Sequence, residues 1–93
     1  MKLKYTEHLE NRLKLRKIDH DLPGKIFEQA NEVYYDDETK YYVAIMEVNL
    51  YNKKRDVMVA FDYEDDIVKL LTIHPLKEGQ KENRVRNGRW RKA

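Results

Sequence analysis

The N-terminal third of the chain carries apolar residues at helical spacing. Leu9 and Leu13 are four residues apart, and good helix formers continue without Gly or Pro as far as Pro23. Thr6 is a favourable N-cap, because its hydroxyl can accept a hydrogen bond from a free backbone N–H of the first turn. We therefore predict a first helix over residues 7–17.

A second helix and then a change of period follow. Asp21, with Pro23 just inside, predicts a second helix start, and Gly24 predicts that this helix is short, ending near Asn31. From Glu32 onward the apolar residues recur at every second position, which is the period of a half-buried strand. The predicted strands are residues 32–35, 41–51, 57–63 and 67–74, separated by polar turns at 36–39, 52–55 and 64–66.

These elements predict an α+β fold. Two N-terminal helices should pack on a curved antiparallel sheet of about four strands, in the order α-α-β-β-β-β. The long strand 41–51 should lie inside the sheet, and residues 1–5 could form a further short strand or a lead-in. We expect a single domain over residues 1–76, followed by a basic C-terminal segment, residues 77–93, that is either flexible or docked through Trp90.

Charge is distributed unevenly along the 93 residues. The net charge is +2, but residues 1–17 carry +4, residues 18–76 carry −7 and residues 77–93 carry +5. Two basic ends indicate a polyanion such as RNA as partner, although these ends could instead pair with the acidic middle. The chain has no cysteine, which excludes disulfides and thiolate metal sites. No apolar stretch is long enough to span a membrane, so we expect a cytoplasmic protein with no membrane partner.

A basic stripe runs along the first predicted helix. His8, Arg12 and Arg16 occupy positions i, i+4 and i+8, which places them on one face, flanked by leucines on both sides. The stripe should therefore lie at the edge of the core, where a cleft could form. Its arginines could bind phosphate oxygens, or their stems could cover the sheet while their guanidinium groups pair with the acidic middle.

The residue types available favour one kind of chemistry. The chain has no Gly-rich phosphate loop, no nucleophile elbow and no metal-ligand spacing, so we expect no cofactor and no bound metal. Histidine with arginine suits metal-free phosphodiester cleavage, in which a base and an acid move protons while cations stabilise the phosphorane. His8 is the candidate base or acid, Arg12 and Arg16 are candidate phosphate ligands, and His74 at the end of the last strand completes the candidate site.

The C-terminal segment offers candidate RNA contacts. Arg84, Arg86 and Arg89 form a dense basic run that could contact an RNA backbone, and Trp90 among them could stack on a base. A solvated tail without a binding role is the alternative interpretation.

The order of these residues resembles a known family. The run HLENRLKLRKI resembles the opening of small prokaryotic domains of unknown function, whose first helix carries His-x-x-x-Arg-x-x-x-Arg before an isoleucine. In those domains a Val-Tyr-x-Asp segment follows, here 33–36, and the sheet closes on a strand with Thr next to an aliphatic residue, here 71–73. The family is grouped with RelE-like and BrnT-like toxins. The resemblance, which covers about residues 5–75, implies a RelE-like fold and metal-independent RNA cleavage with His8, Arg12 and Arg16 in the site.

We therefore predict a small endoribonuclease that is the toxin component of a toxin–antitoxin pair, with RNA and a cognate antitoxin protein as partners. A non-catalytic RNA-binding module and a protein-interaction domain are the alternatives. The oligomeric state does not follow from the sequence.

Overall fold

The structure is a computed structural model that describes residues 2–93. Its elements are β1 (Lys2–Tyr5), α1 (Glu7–Arg16), α2 (Leu22–Gln29), β2 (Glu32–Asp36), β3 (Tyr41–Leu50), β4 (Lys53–Glu64), β5 (Ile67–Pro75), α3 (Gln80–Arg86) and β6 (Trp90–Lys92). The strands form one sheet in the order β1-β5-β4-β3-β2-β6. Only β1 and β5 run parallel, and the other neighbours are antiparallel. The predicted α+β class is confirmed.

The predicted order of two helices and four strands is wrong in detail, because α3 and β6 are additional and β1, the short strand left open for residues 1–5, joins the sheet. Strand β1 pairs with β5 from Lys2 opposite Ile67 onward, and β6 pairs with β2, with Trp90 opposite Asp36. Both pairings join segments that are far apart in the sequence, so neither leaves a local signal. Helix α3 has no buried residue, so it has no apolar stripe that a periodicity search could detect.

Helix α1 begins and ends through two local capping motifs. Thr6 Oγ1 accepts a hydrogen bond from the backbone N–H of Leu9 at 3.2 Å, as predicted. At the C-terminus Lys17 adopts a left-handed conformation with φ 54°, and the N–H of Ile18 reaches the carbonyl of Leu13 at 3.0 Å. This Schellman motif ends the helix at Arg16, one residue earlier than predicted. Leu9 and Leu13 are buried.

Helix α2 starts where predicted and ends two residues early, at Gln29. Pro23 lies in its first turn, where no hydrogen bond from its nitrogen is needed. Gly24 lets β1 approach closely: its N–H donates to Tyr5 Oη at 3.1 Å, and a Cβ there would lie 3.3 Å from the same oxygen. The packing of α2 thus helps to hold β1 in place.

The connection between β3 and β4 is shorter than predicted. The expected polar turn at 52–55 is wrong, because Tyr51 and Asn52 alone make the turn, with φ values of 56° and 61°. Two central residues with positive φ define the hairpin turn whose twist matches the flanking strands, and they bring Leu50 opposite Lys53. Residues 53–55 are therefore the start of β4.

The alternation along β3 and β4 separates two hydrophobic clusters, one on each face of the sheet. The face toward α1 and α2 buries Ala44, Leu50, Val57, Val59 and Phe61 with the helix residues Leu9, Leu13 and Ile26. The opposite face buries Val43, Ile45, Met58 and Ala60 with Tyr34 and Trp90. The C-terminal segment therefore packs on the sheet, and its tryptophan belongs to the second cluster.

A register shift in the central hairpin orients the end of β5. Thr72 pairs with Ala60 and Leu70 pairs with Phe61, so Leu71 is an extra residue in β5. Beyond the bulge, Thr72 and His74 project from the same face as Ala60, the face opposite α1 and α2. No helix within the described residues is long and apolar enough to cross a membrane.

Candidate functional site

An open groove of about 1260 Å³ lies on the sheet face opposite α1 and α2. Strands β3, β4 and β5 form its floor with residues that include Met58, Ala60, Thr72 and His74. Residues of α1 and of the C-terminal segment also line the groove. Eight of its lining residues are Lys or Arg and four are Asp or Glu, so the lining carries an excess of positive charge.

The short length of β1 brings α1 to this groove. Strand β1 pairs only with residues 67–70 of β5, and the N–H of Thr6 bonds to the carbonyl of Leu70 at 3.1 Å. The hydroxyl of Thr6 donates to the carbonyl of Leu71 at 3.2 Å. Helix α1 therefore starts at the point where β1 stops, and it packs beside the remainder of β5. Its basic stripe reaches the end of β5, where Arg12 Nη1 lies 3.4 Å from His74 Nδ1.

His74 is held in a neutral form by its surroundings. An arginine has only donors, so Nδ1 accepts from Arg12 and, in the neutral ring, Nε2 carries the proton toward Thr72 Oγ1 at 3.4 Å. Burial lowers the pKa of His74, and the charges of Arg12, Arg16, His8 and Arg84 lower it further. His74 is thus a neutral proton acceptor at pH 7.

Three arginines around His74 carry uncompensated charge. Within residues 2–93, Arg12, Arg16 and Arg84 form no ion pair with a carboxylate. In addition, the Nε atom of Arg12 is buried and has no hydrogen-bond partner. A buried donor without a partner costs free energy, and an oxyanion in the groove could supply the missing acceptor only after Arg12 turns toward it.

The structure brings together five of the residues that the sequence singled out. His8, Arg12, Arg16, His74 and Arg84 all contribute to one end of the groove or to the electrostatic environment of His74. His8 and Arg16 are exposed there, whereas Arg12, Arg84 and His74 are half-buried. The two basic ends of the chain therefore meet at one site. The prediction that leucines on both sides of the stripe place it at the edge of the core is wrong for one side, because Leu15 is 81% exposed.

The other predicted RNA contacts take different positions. Trp90 is 1% exposed, so its ring is closed to a stacking base, and this predicted role is wrong for the described conformation. Arg89 lines the groove but is bound to Asp36, with Nε 3.0 Å from Oδ1 and Nη2 3.0 Å from Oδ2. Arg86 is exposed on α3, outside the groove.

Asp36 is a site residue that sequence reasoning missed. Burial raises its pKa, but hydrogen bonds from Arg89, from the N–H of Glu38, from Trp90 and from the N–H of Thr39 outweigh burial and lower the pKa of Asp36 to about 2. No sequence signal pairs Asp36 with Arg89, since 53 residues separate them. Thr72 could have been found, because it is two residues before His74 on a strand and so shares its face.

Within residues 2–93, no group of three or more His, Asp or Glu side chains is arranged to hold a metal ion. Comparisons with protein-family models, curated proteins and solved structures find no match to this chain.

Proposed function

We propose that this protein is a metal-independent endoribonuclease that binds a phosphodiester of single-stranded RNA beside His74. The observation that carries the proposal is a neutral imidazole among three arginines that lack carboxylate partners. Arg12 and Arg16 bind the non-bridging phosphate oxygens, and the buried Nε of Arg12 gains an acceptor. Arg84 adds a further positive charge in the same groove.

The two histidines divide the proton transfers in this mechanism. When Arg12 turns to the phosphate, Nδ1 of His74 is free to take the proton of the ribose 2′-OH. The 2′ oxygen then forms a bond to phosphorus while the bond from phosphorus to the 5′ oxygen breaks. His8 gives a proton to the leaving 5′ oxygen, and the products are a 2′,3′-cyclic phosphate and a 5′-hydroxyl. The arginines stabilise the extra negative charge of the phosphorane.

The resemblance of residues 5–75 to domains grouped with RelE-like toxins supports the same assignment. Two N-terminal helices against a largely antiparallel sheet agree with the fold which that resemblance implies. On this basis we propose that the chain is the toxin component of a pair and that a cognate antitoxin protein is its partner. A non-catalytic RNA-binding module would use the same groove without the proton transfers, and the experiment below distinguishes the two.

The test measures cleavage of a short single-stranded RNA by purified protein in the presence of EDTA. We expect His74→Gln and His8→Gln each to lose about 10²–10⁴-fold in rate, because each removes a positioned base or acid. The matched control is His20→Gln. His20 lies in the exposed loop after α1 with Nε2 2.8 Å from Glu10 Oε1, away from the groove.

A chemical control checks the nucleophile. The same oligonucleotide with 2′-deoxyribose throughout should bind but remain intact, since the attacking 2′-OH is absent. Because the pKa of His74 is lowered, the rate of RNA cleavage should begin to fall only at a pH below the usual histidine range. Binding of RNA without cleavage by the wild type would refute catalysis and support the binding module. Full activity of His74→Gln would remove His74 from the mechanism.

A further inference from the structure

We infer that Asp36 is a positioning residue for the groove: through Arg89 and Trp90 it holds Arg84 at the site where His74 and the phosphodiester meet. The inference rests on the proposed function for its consequence on RNA, but its geometry stands independently. It assigns a task to a buried carboxylate that the proposed chemistry does not use.

Asp36 is the centre of a fully satisfied polar cluster. The carboxylate is 3% exposed, and both oxygens accept from Arg89 in a bidentate pair at 3.0 Å. Oδ2 also accepts from Nε1 of Trp90 at 3.1 Å, and Oδ1 accepts from the N–H groups of Glu38 at 2.9 Å and Thr39 at 3.4 Å. An arrangement with this many donors is rigid, and it fixes Trp90 opposite Asp36 in the β2–β6 pairing.

The side chain of Arg84 packs on the ring of Trp90. The guanidinium carbon of Arg84 lies 5.2 Å from the centroid of the Trp90 ring, and the same ring stacks on Tyr34 with centroids 5.9 Å apart. Helix α3, from which Arg84 projects, has only seven residues, and none of them is buried. Its position therefore depends on a few side-chain contacts, chiefly Arg84 on Trp90 and the ion pair of Lys81 with Glu32 at 3.0 Å.

In the described part of the chain the charge of Arg84 is not neutralised by an ion pair, although Arg89, Asp36 and Glu38 beside it carry a net charge of −1. Arg89 and Asp36 neutralise one another, and Glu38 also contacts Arg89, with Oε2 3.3 Å from Nη1. Arg84 keeps its charge without a carboxylate partner among the described residues. Arg84 thus adds to the groove a positive charge that comes from neither α1 nor β5. The polar cluster around Asp36 fixes the Trp90 ring, and the guanidinium group of Arg84 packs on that ring.

The direction in which the pKa of His74 shifts in an Asp36 variant distinguishes two effects: loss of the position of Arg84, and the direct electrostatic effect of removing the Asp36 charge. His74 is surrounded by His8, Arg12 and Arg16 from α1 and by Arg84 from α3, and all four disfavour its protonation. Neutralising a carboxylate in the neighbourhood leaves more net positive charge, so direct electrostatics can only lower the pKa of His74. Displacing Arg84 removes a positive charge and raises it. The two causes have opposite signs.

The experiment follows the His74 ring signals by NMR as a function of pH, in full-length protein without RNA. Arg84→Gln should raise the pKa of His74, and Asp36→Asn should raise it by less, because the loss of the carboxylate charge acts in the opposite direction. The double variant should shift it no further, because both changes remove the same cation from the groove. The matched control is Glu38→Gln, which neutralises the neighbouring carboxylate and should leave the pKa of His74 unchanged or lower. Asp36→Asn behaving like Glu38→Gln would overturn the inference.

A second variant covers the case in which Asp36→Asn fails to fold. Trp90→Phe keeps an aromatic ring in the core and changes no charge, but it removes the Nε1–H that binds Asp36. Any rise in the pKa of His74 in this variant reports a movement of Arg84, and an unchanged pKa in the folded variant overturns the inference. This readout needs no cleavage, so an inactive wild type would refute the ribonuclease proposal without affecting it.

Binding of an uncleavable 2′-O-methyl oligonucleotide completes the test. Losing one arginine contact to phosphate should weaken binding about tenfold, and the salt dependence should lose about 0.7 of its logarithmic slope. Asp36→Asn and Arg84→Gln should share both effects. Wild-type affinity in both variants would show that Arg84 contacts no phosphate and would overturn the consequence for RNA.

Discussion

Replacing Arg12 with methionine should make the protein more stable and at the same time inactive. Arg12 is half-buried beside His74, and its Nε is buried without a partner. Methionine retains an unbranched apolar side chain that can occupy the space of the arginine stem, but it removes the guanidinium group and its charge. A ligand site that holds unpaired cations in the absence of ligand reduces the stability of the fold, so removing one of these cations should restore it.

The magnitude follows from the contacts that are lost and relieved. An unsatisfied buried donor costs about 1–3 kcal/mol. Repulsion by the neighbouring cations is also relieved. Against this, the substitution loses one long contact, 3.4 Å from Nη1 to His74 Nδ1, whose net value is about 0.5–1 kcal/mol at most. We therefore expect a net gain of about 1 kcal/mol, which corresponds to a rise of about 4–8 °C in the melting temperature of a domain of this size.

Thermal and urea unfolding of wild type and Arg12→Met, with RNA cleavage on the same preparations, provide the assay. The matched control is Arg86→Met, an exposed arginine on α3 outside the groove, whose stability should change by no more than about 0.5 kcal/mol. A loss of stability in Arg12→Met clearly larger than in the control would refute the reasoning. It would mean that the guanidinium group stabilises the fold, as expected if the arginines of α1 only cover the sheet and pair with acidic residues.

Three further predictions concern the fold that supports the site. Because the pKa of Asp36 falls from 3.8 in the unfolded chain to about 2, its contribution of about 2 kcal/mol to stability is complete above about pH 4. That contribution is lost as the pH falls through 2, so acid titration of the unfolding free energy should show this loss in wild type and not in Asp36→Asn. Leu9→Ala should cost about 2–5 kcal/mol in urea unfolding, because Leu9 is 0% exposed in the core under α1, whereas Leu15→Ala at an exposed position should cost less than about 0.5 kcal/mol. Deleting residues 79–93 should abolish cooperative unfolding or lower its midpoint strongly, since it removes Trp90 from the core; a deletion that melts like wild type would contradict the packing of this segment.

The groove itself could be anticipated only in part. The helical spacing of His8, Arg12 and Arg16 placed them on one face, and α1 shows that face at the groove. That spacing carries no information about which strand the stripe meets. The meeting with His74 depends on a parallel β1 that stops after four residues, and the alternation of β1 is compatible with a strand but does not specify β5 as its partner.

The C-terminal segment likewise shows how far its function could be predicted from the sequence. Its basic composition predicted contact with a polyanion, and Arg84 does lie in the groove. Composition could not separate Arg84 from Arg89, because the difference lies in Asp36, a residue of β2 that binds one and not the other. The same carboxylate explains why Trp90 is a core residue.

What the sequence by itself determined is the local and periodic part of this protein. The cap at Thr6, the period of two after Glu32 and the division of β3 into two faces follow from interactions within a few residues. Such local interactions are encoded in the order of the residues along the chain. The tertiary structure alone decided the two sheet edges, the docking of Trp90 on Asp36 and the environment of His74. Each of these depends on segments about 50–65 residues apart, whose pairing is selected by the burial and hydrogen bonding of the whole fold and not by any local preference.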